Sequence, residues 1–124
     1  MFQVKDDGTI HITRGDYGVL DVSALNGEGN NYIFESGDMV RFKVYERNRP
    51  DRVVLQKDIS ISDKTYMVTF ELDGADTKIG ELISKPKDYW YEVELNPDTC
   101  PITFIGYDID GPKIFRLYPE GADQ

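Results

Sequence analysis

Trp90 stands between two tyrosines in the run Tyr89-Trp90-Tyr91-Glu92-Val93-Glu94-Leu95. On an extended chain successive side chains point to opposite faces, so Trp90, Glu92 and Glu94 share one face and Tyr89 and Tyr91 the other. An indole beside two carboxylates is a pattern that lines sugar sites, and a partly exposed tryptophan is equally an anchor for a protein partner. The plain alternative is a solvated strand face whose one aromatic is covered by a loop. Tyr107 is the second aromatic on which a carbohydrate site would draw.

The remaining candidates for chemistry are sparse. His11 lies between Ile10 and Ile12, hence on the opposite face from them, and is expected on a surface or an edge strand. A hydrolase needs a nucleophile, a base and an orienting acid in mutual reach, and no G-x-S-x-G, S-x-x-K or cysteine signature is present. Cys100 sits between Thr99 and Pro101 with no motif around it. One cysteine and one histidine cannot build a zinc cage within one chain, and one cysteine cannot form an internal disulfide. Asp108-Ile109-Asp110-Gly111 opens like a calcium loop, yet Glu120 falls one place past the required twelfth position. Arg14-Gly15-Asp16 spells an integrin-recognised tripeptide, but Gly-Asp also makes a tight turn between strands. No catalytic, cofactor-binding or metal-binding residue is therefore assigned.

These residues need elements to hold them, and alternation with period two supplies the elements. Val40, Phe42 and Val44 alternate with Arg41, Lys43 and Tyr45; Tyr66, Val68, Phe70 and Leu72 alternate with Met67, Thr69 and Glu71. Each run predicts a half-buried strand, as does Tyr89–Leu95. Shorter runs predict strands over Thr9–Thr13, Gly18–Ala24, Arg52–Ile59 (Val53 and Leu55 inward), Ile102–Tyr107 and Lys113–Tyr118 (Phe115 and Leu117 inward). Turn residues separate them: Arg14-Gly15-Asp16, Glu35-Ser36-Gly37-Asp38, Arg47 to Asp51, and Asp110-Gly111-Pro112. Only Gly74 to Ser84 has room for a helix, limited to one or two turns by Gly80 and Pro86. The expectation is one all-β domain over residues 1–124, an antiparallel β-sandwich of about seven to nine strands with at most one short helical turn.

Composition excludes several classes of partner. In 124 residues there are 14 Lys+Arg against 23 Asp+Glu, a formal charge of −9. Nucleic-acid binding is driven by cations that displace counterions from phosphate, so this balance argues against it, and equally against a membrane surface. No apolar stretch follows Met1-Phe2-Gln3-Val4-Lys5, and no run is long enough to span a bilayer, so neither a signal peptide nor an anchor is expected. Synthesis in the cytoplasm follows. Self-repulsion at −9 means that a homo-oligomer would use a patch poor in acids, and the Met39–Tyr45 strand with Arg41 and Lys43 is the expected one.

The ordered set of motifs resembles a family. Ile12-Thr13-Arg14-Gly15-Asp16-Tyr17-Gly18, followed by Phe34-Glu35-Ser36-Gly37-Asp38-Met39-Val40-Arg41-Phe42-Lys43-Val44-Tyr45, resembles the N-terminal domain of phage baseplate upper proteins. Leu55-Gln56-Lys57-Asp58-Ile59 and the Tyr89–Leu95 strand match its later strands, so the resemblance runs from about Ile10 to Leu117. The chain departs from the pattern at Ser84-Lys85-Pro86-Lys87-Asp88, where the family has a glycine turn. The resemblance implies an immunoglobulin-like sandwich serving as a non-catalytic building block of a bacteriophage or prophage tail. Its partners would be other tail or baseplate proteins, and its destination the virion. Under it, Gly15-Asp16 and Gly37-Asp38 are structural turns. Trp90, Arg41, Lys43 and Tyr107 are the residues expected to face a partner; a carbohydrate-binding sandwich is the alternative.

Overall fold

Nine strands and one helical turn occupy the computed structural model, which describes residues 1–121. In chain order these are β1 (Phe2–Val4), β2 (Ile10–Thr13), β3 (Gly18–Val22), β4 (Met39–Glu46), β5 (Arg49–Ser60), β6 (Val68–Leu72), α1 (Gly74–Thr77), β7 (Lys87–Leu95), β8 (Ile102–Ile105) and β9 (Ile114–Tyr118). One sheet runs β1-β2-β9-β7-β4-β5, with β8 also on β7; the other holds only β3 and β6. Consecutive strands cross between sheets at β2–β3, β3–β4, β5–β6 and β6–β7, so the two sheets pack face to face as an all-β sandwich. β8 and β9 lie end to end along the same edge of β7, with an excursion of residues 106–113 between them.

The inner faces are those the alternation predicts. Val40, Phe42 and Val44 of β4, Phe115 and Leu117 of β9 and Val93 of β7 are fully buried. Phe42 sits at the centre, its ring 5.7 Å from Phe70 across the sandwich and 5.7 Å from Tyr91 on the neighbouring strand. Two strands cannot roof a sheet three times as wide, so Phe34, Ile61 and Ile79 from the connections complete the core. α1 is a single turn held by reciprocal Asp73 and Asp76 caps, and it buries Thr77, whose hydroxyl donates to the Asp16 carbonyl at 2.8 Å.

Several expectations need correction. The sandwich is not wholly antiparallel: β2 and β9 pair in parallel, Ile10↔Phe115 to Thr13↔Tyr118. A parallel pair requires a long crossover, and nearly the whole chain between the two strands provides it. β1 was not expected, being only three residues long. Its Phe2 ring lies where a side chain on Gly18 would project, which favours glycine there. Tyr66 is exposed because β6 begins only at Val68, after a local turn in which the Thr65 hydroxyl accepts from the Met67 N–H.

β5 departs most. It starts at Arg49, since Asn48 adopts a left-handed conformation (φ 56°) and closes the β4–β5 hairpin with Arg47 alone. The register then steps from Val44↔Leu55 to Tyr45↔Val53, so Val54 is a bulge residue. The step inverts the alternation: Leu55 points inward, and Val53, expected inward, lies on the outer face. β8 ends at Ile105, leaving Tyr107 in the excursion.

Candidate interaction face

The outward positions of the large sheet fall into rungs that cross the strands. Register places Thr103, Glu94, Arg41 and Asp58 in one rung and Glu92, Lys43 and Gln56 in the next. Ile114, Trp90, Tyr45 and Val53 form the third, and Asp88, Arg116 and His11 the fourth. Side chains directly opposite on adjacent strands stabilise one another by roughly 0.2–1 kcal/mol per pair.

The polar rungs are closed by ion pairs. Arg41 grips Asp58 with two bonds, Nε to Oδ1 at 2.8 Å and Nη2 to Oδ2 at 3.1 Å, and approaches Asp98 at 3.5 Å. That guanidinium, chiefly through its hydrogen bond, holds the Asp58 carboxyl below the usual carboxylate range. Lys43 Nζ lies 2.9 Å from Glu92 and 3.9 Å from Glu94, with all three side chains less than a fifth exposed. Arg116 forms a second two-bond pair with Asp88, at 2.6 and 3.2 Å. The acid-poor patch expected around Arg41 and Lys43 is therefore neutralised: the acids arrive from β5 and β7, which the sequence of β4 alone does not reveal.

The third rung is different. Trp90 and Tyr45 are opposite each other, and Tyr107 folds back from the excursion to bring its ring 5.7 Å from the Trp90 ring at 57°. Gly106 lets the chain turn close against the sheet, since a Cβ there would lie 2.9 Å from Thr103 Cγ2 and 3.3 Å from Glu92 Cβ. Tyr45 is nearly buried on this outer face, and burial, then the Glu92 and Glu94 charges, raises its hydroxyl pKa. Lys43 Nζ stands 5.8 Å from the Tyr45 ring centroid. Val53, Tyr107 and the half-buried Ile114 complete an apolar strip bounded on both sides by paired charges. All four residues singled out from sequence thus meet on one face. Tyr45 and Ile114, which widen the strip, and Val53, placed on it by the bulge, become visible only through strand register.

The other motifs resolve into structure. His11 is not on an edge, because β2 is flanked by β1 and β9; its Nδ1 lies 2.8 Å from the Tyr118 hydroxyl. Arg14 donates to the Ile79 and Gly80 carbonyls and pairs with Glu120 at 2.7 Å, while the Asp16 carboxylate meets the Met1 amine. Gly15 turns the chain at φ 88°, so Arg14-Gly15-Asp16 is a stapled turn. Asp108 and Gly111 exchange backbone bonds, and the Asp108 carboxylate is taken by Lys113 at 2.9 Å and the Asp110 N–H. Among the described residues no group of three or more His, Cys, Asp or Glu side chains is placed to hold a metal ion. Cys100 is exposed, and among the described residues no helix is long and apolar enough to cross a membrane.

The fold and the face together define an all-β sandwich with an aromatic strip on the outer surface of its large sheet. Comparison with protein-family models, with curated proteins and with solved structures finds no match.

Proposed function

We propose that the chain is a non-catalytic protein-binding module of a phage or prophage tail assembly, docking through the Ile114–Trp90–Tyr45–Val53 strip. The observation that carries the docking part is the apolar rung itself, with Trp90 and Tyr107 in ring contact between rungs of paired charge. The strip itself carries no charge, so covering it removes no ion from water, and Trp and Tyr are the side chains on which interface energy concentrates. The tail assignment is supported by the ordered motifs from Ile12 to Leu95. The test mixes the purified chain with the products of the genes flanking its own and follows complexes by size-exclusion chromatography with light scattering. A complex that Trp90→Ala weakens by roughly 30-fold or more supports the proposal. Flanking genes of metabolic type, or no complex with any tail component, removes it.

A carbohydrate-binding role is the second reading, favoured by the open Tyr107 ring beside Trp90 and the Glu92 carboxylate one rung away. Trp90 is the only tryptophan, so its fluorescence reports directly. Emission unchanged by every member of a glycan panel eliminates this reading.

A further inference from the structure

On the side of the sandwich away from β1, both sheets end, among the described residues, in an unpaired strand: β5 closes the large sheet and β6 the small one. A cleft of ≈ 510 Å³ lies between these two edges, floored by Ile59 and Phe70 and walled by Lys57, Asp58 and Thr69. A second concavity of ≈ 220 Å³ continues it past Ser60 and Val68 toward Met67. The two share Ile59 and Thr69, so one groove follows β6 from Val68 to Glu71 and β5 from Lys57 to Ser60. Every second residue of an edge strand turns its N–H and C=O toward the open side, and five residues of strand extend about 17 Å.

We infer that this groove is a strand-acceptor site: it takes an extended segment of a partner protein, bearing β-branched residues at alternate positions and Lys or Arg at its end, as an added β-strand. Main-chain hydrogen bonds to the free edge provide the affinity, and alternate side chains fill the floor over Ile59 and Phe70. The charge at the Leu72 end of the groove selects the occupant. There Glu71 and Asp73 face a single cation, Lys57, whose ammonium is already committed to Asp76 at 2.9 Å. Among the described residues the Glu71 carboxylate accepts only from the neutral Tyr17 hydroxyl, at 3.2 Å. A basic side chain at that position gains a partner, and an acidic one is repelled. The first half of β5 is closed to the same use, because Arg49, Pro50, Asp51 and Arg52 put a missing N–H and alternating charges along it. The groove is thus an open stretch of edge beside a guarded one.

The test uses the full chain and three synthetic heptapeptides. The probe is acetyl-Lys-Val-Thr-Val-Thr-Val-Lys-amide; one control carries Glu at both ends, and the other is N-methylated at alternate residues. The expected result is saturable binding of the probe, with slowed amide hydrogen exchange confined to residues 57–60 and 68–72. The Glu-ended peptide and the Glu71→Gln variant should each bind roughly five- to tenfold more weakly at low salt, and the N-methylated peptide not at all. Trp90→Ala should leave the affinity unchanged, which separates this site from the outer face. No binding of the probe at millimolar concentration, equal binding of the N-methylated peptide, or protection mapping to the Trp90 strip overturns the inference.

Discussion

Replacing Lys43 by Met keeps an unbranched side chain of similar volume, one atom shorter, while deleting the cation between Glu92 and Glu94. In the native rung Lys43 Nζ lies 2.9 and 3.9 Å from the two carboxylates, and the three side chains are 17–18% exposed. An exposed pair is worth about 0–1 kcal/mol, whereas removing one partner of a buried pair costs about 3–5 kcal/mol. This rung lies between those limits, and its two carboxylates would be left facing each other on one strand. The expected loss is about 2 kcal/mol, or roughly 8 °C in melting temperature for a chain of this size. Urea unfolding followed by Trp90 fluorescence measures it. Two further results carry the reasoning: high salt should recover part of the loss by screening the repulsion, and adding Glu92→Gln with Glu94→Gln should recover most of it. A loss that is unchanged by salt and by the two Gln substitutions would mean that the cost lies in packing, and would refute the electrostatic account of the rung.

Acid unfolding should expose the Arg41–Asp58 pair. The Asp58 carboxyl is held low in the folded chain, so its stabilisation is present above the unfolded value of about 3.9 and is lost as pH falls through the folded value. Arg41→Gln should therefore flatten the pH dependence of the urea midpoint below pH ~4, and superimposable profiles would contradict this. Tyr91 donates its hydroxyl to the Gly8 carbonyl at 2.5 Å, and burial pushes its pKa up to about 12. Tyr91→Phe should cost about 1–2 kcal/mol below pH ~10, with the gap closing as pH rises through the folded value; a melting curve equal to wild type would show the bond to be dispensable. For the bulge, Val53→Lys should change stability by less than about 0.5 kcal/mol, while Leu55→Lys should prevent folding. Circular dichroism distinguishes the two, and the reverse order would mean that the register step is misplaced.

The strands were legible because period two is a local signal, and the burial of Phe42, Phe115 and Tyr91 follows from it. Val53 reads as inward in the sequence because no residue type announces the bulge at Val54, which costs one residue and turns Val53 to the outer face before a second register shift between Tyr45 and Glu46. The face was legible only in parts. Trp90 could be placed outward from its neighbours, and Arg41 and Lys43 from theirs, but their company could not. Which acids neutralise Arg41 depends on β5 and β7 lying on either side of β4, which is a fact of topology. Tyr107 reaches Trp90 because the excursion between β8 and β9 folds back, and nothing in Ile102–Tyr107 distinguishes that from a longer strand. β2 and β9 were both found, but their parallel alignment joins segments a hundred residues apart, beyond the reach of any local pattern.

That last pairing also governs the order in which the molecule can be made. Ile10–Thr13 pair with β1 at once but gain their second neighbour only when Ile114–Tyr118 are present, so on the ribosome the β1–β2 hairpin must wait with one edge open while β3 to β8 are synthesised. Closing so long a loop late places the fold among slow, topology-limited folders, on a scale of milliseconds to seconds. Any shortening of the chain before Tyr118 would leave the β2 edge open and sticky in place of a finished sheet.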